Sequence, residues 1–439
     1  MNNQLKNIVT KQKNGEAVGI YSCCSANENV LRAALQAAKD GNYPLLIEST
    51  ANQVDQNGGY TGMKPKDFKD FVLRLASEVQ IDPNQVYLGG DHLGPLTVTS
   101  LPEVEAMAYA EKLVHDYVEA GFTKIHLDTS MKVADDDPNT RLSDETIARR
   151  GARLARVCNE VYKERLKLYP NSVRPVYVIG SEVPIPGGAQ SASDEMQVTR
   201  PEDFKATYQK FHEAFLENGL EEIWDDVIAI VVQPGVEEKD AGCTEYDREK
   251  ARELTAAIRE PEFEKLIFEG HSTDYQTKYK LRELVEDGIG ILKVGPGLTF
   301  ANREAIYALA NIEKEDLNIP EEEKSHFIEA LDEAMVEDEK YWAKHYHGNE
   351  TQRRFKRKYS FSDRSRYYIG QSKVQAELDK LVMNLNYYGI NLALLSQFMP
   401  IQYTKVREGK LANKPEALIQ DRIRNTIDEY TFATQQQLL

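Results

Sequence analysis

The sequence predicts an α/β fold, a (β/α)8 barrel with a C-terminal helical extension, and three observations carry that expectation. Eight short apolar or β-branched runs recur through roughly the first 310 residues. Each is followed by an amphipathic helical pattern bounded by turn signals. The turn after the first run, Ser22-Cys23-Cys24-Ser25, lacks the G-x-G-x-x-G that a doubly wound dinucleotide-binding sheet would place there.

The runs occupy 18–24, 44–49, 86–90, 124–128, 175–181, 227–233, 265–270 and 290–295. Strands alternating with helices at this spacing make a parallel sheet, and eight of them close into a barrel of about 250 residues. Helix starts are signalled by Ser25-Ala-Asn-Glu28, Ser100-Leu-Pro-Glu103 and Thr199-Arg-Pro-Glu202, which read as capping boxes. Gly41, Gly121 and Gly219 supply the stops. From about residue 315 the alternation ends. A charged helix starts near Ile319-Pro-Glu-Glu-Glu-Lys324, and a basic run, Arg353-Arg-Phe-Lys-Arg-Lys358, precedes Ser362-Asp-Arg-Ser-Arg-Tyr-Tyr368. The expected division is a barrel over 1–315 and a helical extension over 316–439.

The chain of 439 residues is 41% hydrophobic and 28% charged, as a soluble globular protein is. Its net charge of −17 argues against a basic nucleic-acid face. No apolar run approaches the roughly 18 residues of a membrane span, and Met-Asn-Asn-Gln-Leu-Lys-Asn lacks a signal-peptide core. A cytoplasmic protein is expected. Cys23, Cys24, Cys158 and Cys243 form no C-x-x-C pair and read as free thiols, buried as small hydrophobes.

In a barrel of this kind the active site forms where strands end. Strand 2 offers Glu48, followed by Asn52 and Gln53. Strand 3 stops at Gly89-Gly90 and presents Asp91-His92 before Gly94-Pro95. On strand 4, His126 and Asp128 share a face, with His126 expected in a polar layer below the site. Glu182, Gln233 and His271 end strands 5, 6 and 7, with Ser272 and Asp274 close behind. Strand 8 carries Lys293 and ends at Gly295-Pro-Gly297. Buried ionisable groups are costly without partners, so their recurrence at one mouth points to a site. Two histidines and a carboxylate can bind a divalent metal such as Zn²⁺, Mn²⁺ or Ni²⁺ that polarises a carbonyl. The expected ligands are His92, His271 and Glu182, with Gln233 as a weaker donor. Gly295, Gly297 and Ser272 could offer donors to a phosphate.

With these residues in view, the chain resembles the Z-type (GatZ/KbaZ) subunit family of D-tagatose-1,6-bisphosphate aldolases. The segments that carry the likeness are Ile47-Glu-Ser-Thr-Ala-Asn-Gln53, Gly58-Gly-Tyr-Thr-Gly62, Leu88-Gly-Gly-Asp-His-Leu-Gly-Pro95, Lys124-Ile-His-Leu-Asp128, Gly180-Ser-Glu-Val-Pro184, Val232-Gln-Pro-Gly235, His271-Ser-Thr-Asp-Tyr-Gln276 and Leu292-Lys-Val-Gly-Pro296. More distantly it resembles the class II fructose-bisphosphate aldolases. In that likeness Asp91 matches a catalytic aspartate, His92 and His271 match metal ligands, and Glu182 matches the strand-5 glutamate. It departs at Gln233, where those enzymes carry a metal histidine. The shell is then completed by Glu182 or Gln233, or no catalytic metal binds.

The resemblance implies one of two roles. One is a metal-dependent ketohexose or ketohexose-phosphate 4-epimerase, or an aldolase, working by retro-aldol chemistry. The other is an accessory partner of a catalytic aldolase subunit. On the enzyme reading Asp91 transfers protons, with Glu182 and Lys293 also catalytic, and Lys293 offsets developing charge. Glu48, Asn52, Gln53, Asp128, Ser272, Asp274 and Gly295 are then expected around the substrate. A homo-oligomer is expected, with no nucleic-acid or membrane partner.

Overall fold

The structure, a computed structural model, describes residues 3–181 and 197–439. Eight parallel strands form the barrel: β1 (Ile20–Cys24), β2 (Leu45–Thr50), β3 (Val86–Leu93), β4 (Lys124–Leu127), β5 (Val176–Ile179), β6 (Val227–Val232), β7 (Ile267–Gly270) and β8 (Ile289–Val294). They close in the order β1-β8-β7-β6-β5-β4-β3-β2, so each of the eight expected runs supplies one strand. A small antiparallel hairpin, Glu237–Lys239 with Gly242–Thr244, follows β6.

Alternating side chains divide the apolar residues into two bodies. Outward-facing residues such as Tyr21, Ile47, Ile125 and Leu292 pack against the surrounding helices. Inward-facing Ile20, Leu46, Val176, Val178, Ala229, Val231, Ile267 and Ile291 fill the lower barrel. Leu5, Ile8 and Val9 join that inner cluster, so the helix Lys6–Lys13 stoppers the barrel floor. Asn3 fixes it there, its Nδ2 donating to the carbonyls of Thr123 (2.7 Å) and Arg174 (3.0 Å).

The helix boundaries hold more closely than the caps. Helices span Glu28–Gly41, Glu103–Ala120 and Pro201–Glu217, yet none is capped by the serine or threonine expected. Asn27, one position before its helix, accepts from Val30 N (3.2 Å). Thr199 Oγ1 instead accepts from Gln233 N (2.9 Å), tying the helix entrance to the end of β6. Tertiary contacts recruit the hydroxyl that a local rule assigns to the helix.

Beyond the helix Pro296–Glu315, the remaining helices share the outer core. The last of them, Pro415–Thr434, packs against Glu28–Gly41, Lys278–Glu286 and Pro296–Glu315. The basic run is not an idle surface: Arg357 is buried with Asp332 (2.7 Å) and Glu350 (3.0 Å). Among the described residues no helix is long and apolar enough to cross a membrane.

Candidate active site

Above the apolar floor the barrel interior turns charged. Lys124 and Glu269, both fully buried, start this layer with Glu48. Lys124 Nζ lies 2.7 Å from Glu48 Oε1 and 2.7 Å from Glu269 Oε2. Lys293 Nζ lies 2.8 Å from Glu48 Oε2 and 2.9 Å from Asp91 Oδ2. Two ammonium groups thus face three carboxylates, which is how charge is tolerated at such depth. Gly89 is required here, because a Cβ at that position would sit 2.7 Å from Glu48 Cγ.

The next layer up is imidazole. In a regular strand Asp91 and His92 would point to opposite faces. Here β3 shifts register against β4 between Gly90 and Leu93, and His92 takes a left-handed φ of 51°. Both side chains therefore reach the mouth, at the cost of local backbone strain. A Cβ on Gly94 would lie 1.7 Å from Asp128 O, so only glycine lets the chain leave this turn. The rings of His92, His126 and His271 stand 5.0–5.3 Å apart, centroid to centroid.

Hydrogen bonds assign the protons on these rings. His92 N lies 3.0 Å from Asp91 Oδ1 and 3.2 Å from His126 Nδ1. The carboxylate is the better acceptor, so His126 keeps a proton on Nδ1 and gives it to Asp91 Oδ1 (2.8 Å). His126 Nε2 is then a buried lone pair with no partner among the described residues. His271 Nε2 donates to Glu269 Oε1 (2.9 Å), with Nδ1 left without a hydrogen-bond partner among the described residues, and burial pulls this ring down to about 4. His92 Nδ1 is 2.8 Å from Asp128 Oδ2. Burial disfavours its charge, but Asp91 and Asp128 outweigh burial and lift it above its ordinary value. Burial likewise works against the Asp91 carboxylate, and His92 and Lys293 overcome it, holding Asp91 well below the usual carboxylate range.

These groups suit a divalent cation. One ligand-type atom from each of Asp91, His126, Glu269 and His271 lies within 4.8 Å of the others, all buried, and the orphan His126 Nε2 is the donor such an ion would satisfy. This set meets the expected one only at His271. His92 lies beside it. The Gln233 amide oxygen accepts from Gly235 N (2.7 Å) and Val236 N (2.9 Å), shaping its own turn. Glu182, expected as both ligand and catalytic group, lies outside the described residues.

A cavity of about 100 Å³ opens over the cluster, lined among others by Asn52, Gln53, Asp91, His92, His271, Ser272, Asp274, Lys293 and Gly295. Glu48 and Asp128, expected at the substrate, do not line it. Glu48 is buried one layer below, and Asp128 stands behind His92, its Oδ1 accepting from Ser130 Oγ (2.7 Å). Thr50 is the β2 residue that reaches the cavity. Asp274 Oδ1 accepts from Gly295 N (3.0 Å) and Gly297 N (2.7 Å), so the glycine donors expected to meet a phosphate are already taken. Burial first, and then Glu238, push Asp274 up to about 7.

Several residues of the site escaped the sequence reading. Lys124 and Glu269 were legible, since each stands two residues before a histidine on the same strand face. Glu238, from the hairpin after β6, Tyr60, from the loop after β2, and Arg366 and Tyr367, from a short 3-10 helix in the extension, meet the cavity only through tertiary folding.

Fold and cluster together define a (β/α)8-barrel protein with a buried acid–histidine site at the strand ends. A family model described as "D-tagatose-1,6-bisphosphate aldolase subunit GatZ/KbaZ-like" matches residues 5–435, and the chain belongs to that family. A crystal structure from Sinorhizobium meliloti 1021, described as a probable tagatose 6 phosphate kinase, is 41% identical. It covers 95% of this chain and 100% of its own, at a TM-score of 0.85. The YdjI aldolase from Escherichia coli K12 is 11% identical over 89% of this chain and 98% of its own, at a TM-score of 0.41. The fructose-bisphosphate aldolase Fba from Campylobacter jejuni is 16% identical over 88% and 92%, at 0.42. Likenesses as slight as these last two carry no argument about activity.

Proposed function

We propose that the chain is a divalent-metal-dependent 4-epimerase of a ketohexose or ketohexose phosphate, interconverting the tagatose and fructose configurations by opening and re-forming the C3–C4 bond. The observation that carries the reading is the trio of close imidazoles set on ion-paired carboxylates at the barrel mouth. A purely structural barrel gains nothing from burying that many polar groups. The membership in a family described as aldolase subunits agrees with carbon–carbon bond chemistry on sugars.

His126 and His271 would hold the cation with their free nitrogens, joined by His92 through Nε2 and by Glu182 as the further ligand proposed from the sequence. When bound, the ion supplies polarisation of the ketose carbonyl and acidifies the neighbouring hydroxyl. Asp91 takes the proton from the C4 hydroxyl. The C3–C4 bond then breaks, its electrons pass to a C2–C3 enediolate of the three-carbon fragment, and C4 becomes an aldehyde. The aldehyde turns its other face, C3 attacks it, and Asp91 returns the proton to the C4 oxygen. Lys293 Nζ, already beside Asp91, offsets the negative charge while the bond is open. Asp128 keeps His92 oriented, while Asn52, Gln53 and Ser272 face the sugar hydroxyls from the cavity wall.

A second reading has its own support, because the family's description is that of a subunit. On that reading the chain serves a separate catalytic aldolase. The two part on one experiment. The purified chain is incubated with Mn²⁺, Ni²⁺ or Zn²⁺ and with fructose, tagatose and their phosphates, and products are followed by chromatography against a chelator control. The epimerase reading expects metal-dependent interconversion that falls at least about a hundredfold in D91N and H92A. Folded protein that yields no product with any of these sugars would sink it in favour of the accessory role.

A further inference from the structure

The cavity over the histidines is smaller than the roughly 300–1,000 Å³ of most ligand sites. It adjoins a second cavity of about 610 Å³ between the barrel and the C-terminal extension. Cys24, Gln53, Tyr60, Arg366 and Tyr367 line both. A six-carbon chain with its reacting carbons at the histidines has room to extend past Arg366 into the larger cavity.

Two cations line the smaller cavity, and they differ in kind. Lys293 is neutralised by Glu48 and Asp91. Arg366 is held by neutral groups: Nη1 donates to the carbonyls of Ser362 (2.5 Å) and Asp363 (2.8 Å), and Nη2 to the Tyr367 hydroxyl (3.0 Å). Among the described residues no carboxylate oxygen comes within 4.0 Å of it, although Glu238 and Asp274 line the same cavity. Its segment is rigidly seated. Asp363 accepts from Thr299 Oγ1 (2.6 Å) and Arg303 Nε (3.1 Å), and Tyr275 OH donates to Phe361 O (2.6 Å) beneath a 4.1 Å ring stack. A positioned guanidinium with no carboxylate in ion-pairing reach, at the junction of two cavities, is placed to receive an anion, although Asp363, Asp274 and Glu238 act on its charge from farther away. The alternative donors on the loop after β8, Gly295 N and Gly297 N, are spent on Asp274.

We infer that Arg366 binds a terminal anionic group of the substrate, a phosphate monoester or a carboxylate, so that the C-terminal extension completes the site and selects charged over neutral sugars. This rests on the ketose reading for the identity of the sugar, but its test needs no turnover.

Isothermal titration of the full chain with fructose, fructose 6-phosphate and a ketohexuronate reads the preference directly, with inorganic phosphate as a further probe. The wild type is expected to bind at least one charged sugar roughly tenfold to a hundredfold more tightly than fructose. R366M should remove that preference and R366K should restore part of it. Which charged sugar wins tells phosphate from carboxylate. Should R366M fail to give a cooperative melting curve, R366Q and R366K carry the same comparison. Equal binding of charged and neutral sugars by the wild type, no binding of any sugar, or a preference that survives loss of the guanidinium overturns the inference. An inactive chain that still shows the Arg366-dependent preference would count against epimerisation alone.

Discussion

At the scale of single residues, the site rests on Lys124. It is wholly enclosed, and its ammonium lies 2.7 Å from carboxylates on β2 and β7. Replacing it by methionine leaves Glu48 and Glu269 facing each other with Lys293 as their remaining cation. Breaking a buried ion pair from one side costs about 3–5 kcal/mol, because the abandoned charge has no water to return to. K124M is therefore expected to lose stability of that order in guanidinium unfolding at neutral pH. A loss below about 1 kcal/mol would mean that the layer rearranges freely and is no rigid base for the histidines. This residue could have been found in advance. Lys124 and His126 alternate on β4 with Asp128 just past its end, and Glu269 on β7 precedes His271 by two, so inward register marks them together. Glu48 misled for the same reason in reverse. It reads as a strand end, but β2 runs on to Thr50, and a glutamate two residues short of the mouth points into the charged layer.

At the scale of elements, the loop after β4 is held by charge. Arg150, buried on the helix Asp144–Leu168, reaches Asp136 on that loop (2.9 Å) and Glu103 at the start of the neighbouring helix (2.6 Å). Hydrogen bonding from Arg149 works first, against burial, and with Arg150 holds Glu103 at about 2 rather than its ordinary 4.5. A carboxyl depressed in this way stabilises the fold fully above about 4.5, and the contribution is lost as pH falls toward 2. Stability measured by urea unfolding is thus expected to decline with falling pH over that window, and E103Q should decline less steeply. An unchanged slope in E103Q would place the acid sensitivity elsewhere. The existence of these helices was legible from their periodicity, because an apolar stripe has to face the barrel. Their caps were not, since Thr199 is drawn to β6 and Asn27 takes the place expected of Ser25.

At the scale of the molecule, the barrel and its extension are joined by the chain's last helix. Tyr430 OH donates to Thr273 O (2.9 Å), next to His271 and Ser272. Gln436 accepts from Tyr21 N (3.1 Å) and donates to Pro44 O (2.8 Å), bridging the starts of β1 and β2. Leu418, Ile419, Ile423 and Ile427 are buried against the barrel's own helices. Ending the chain before Pro415 would bare that surface, and exposed apolar area of such extent destabilises and aggregates. The truncated chain is expected to melt without cooperativity or to associate in solution, as read by circular dichroism and light scattering. A soluble monomer with a cooperative transition would show that the rest of the chain folds without residues 415–439.

The sequence by itself determined the barrel, its eight strands and the presence of acids and imidazoles at one end. Those follow from period-two alternation, glycine stops and the expense of burying charge, all of which are local. Only the tertiary structure decided which of these groups meet. A register shift and one left-handed residue turn Asp91 and His92 to the same side, barrel closure brings Lys124 to Glu269, and Asp274 fills the glycine donors. Arg366 enters from far along the chain, and no spacing rule reaches that distance, because its position depends on how the extension packs rather than on its neighbours in sequence.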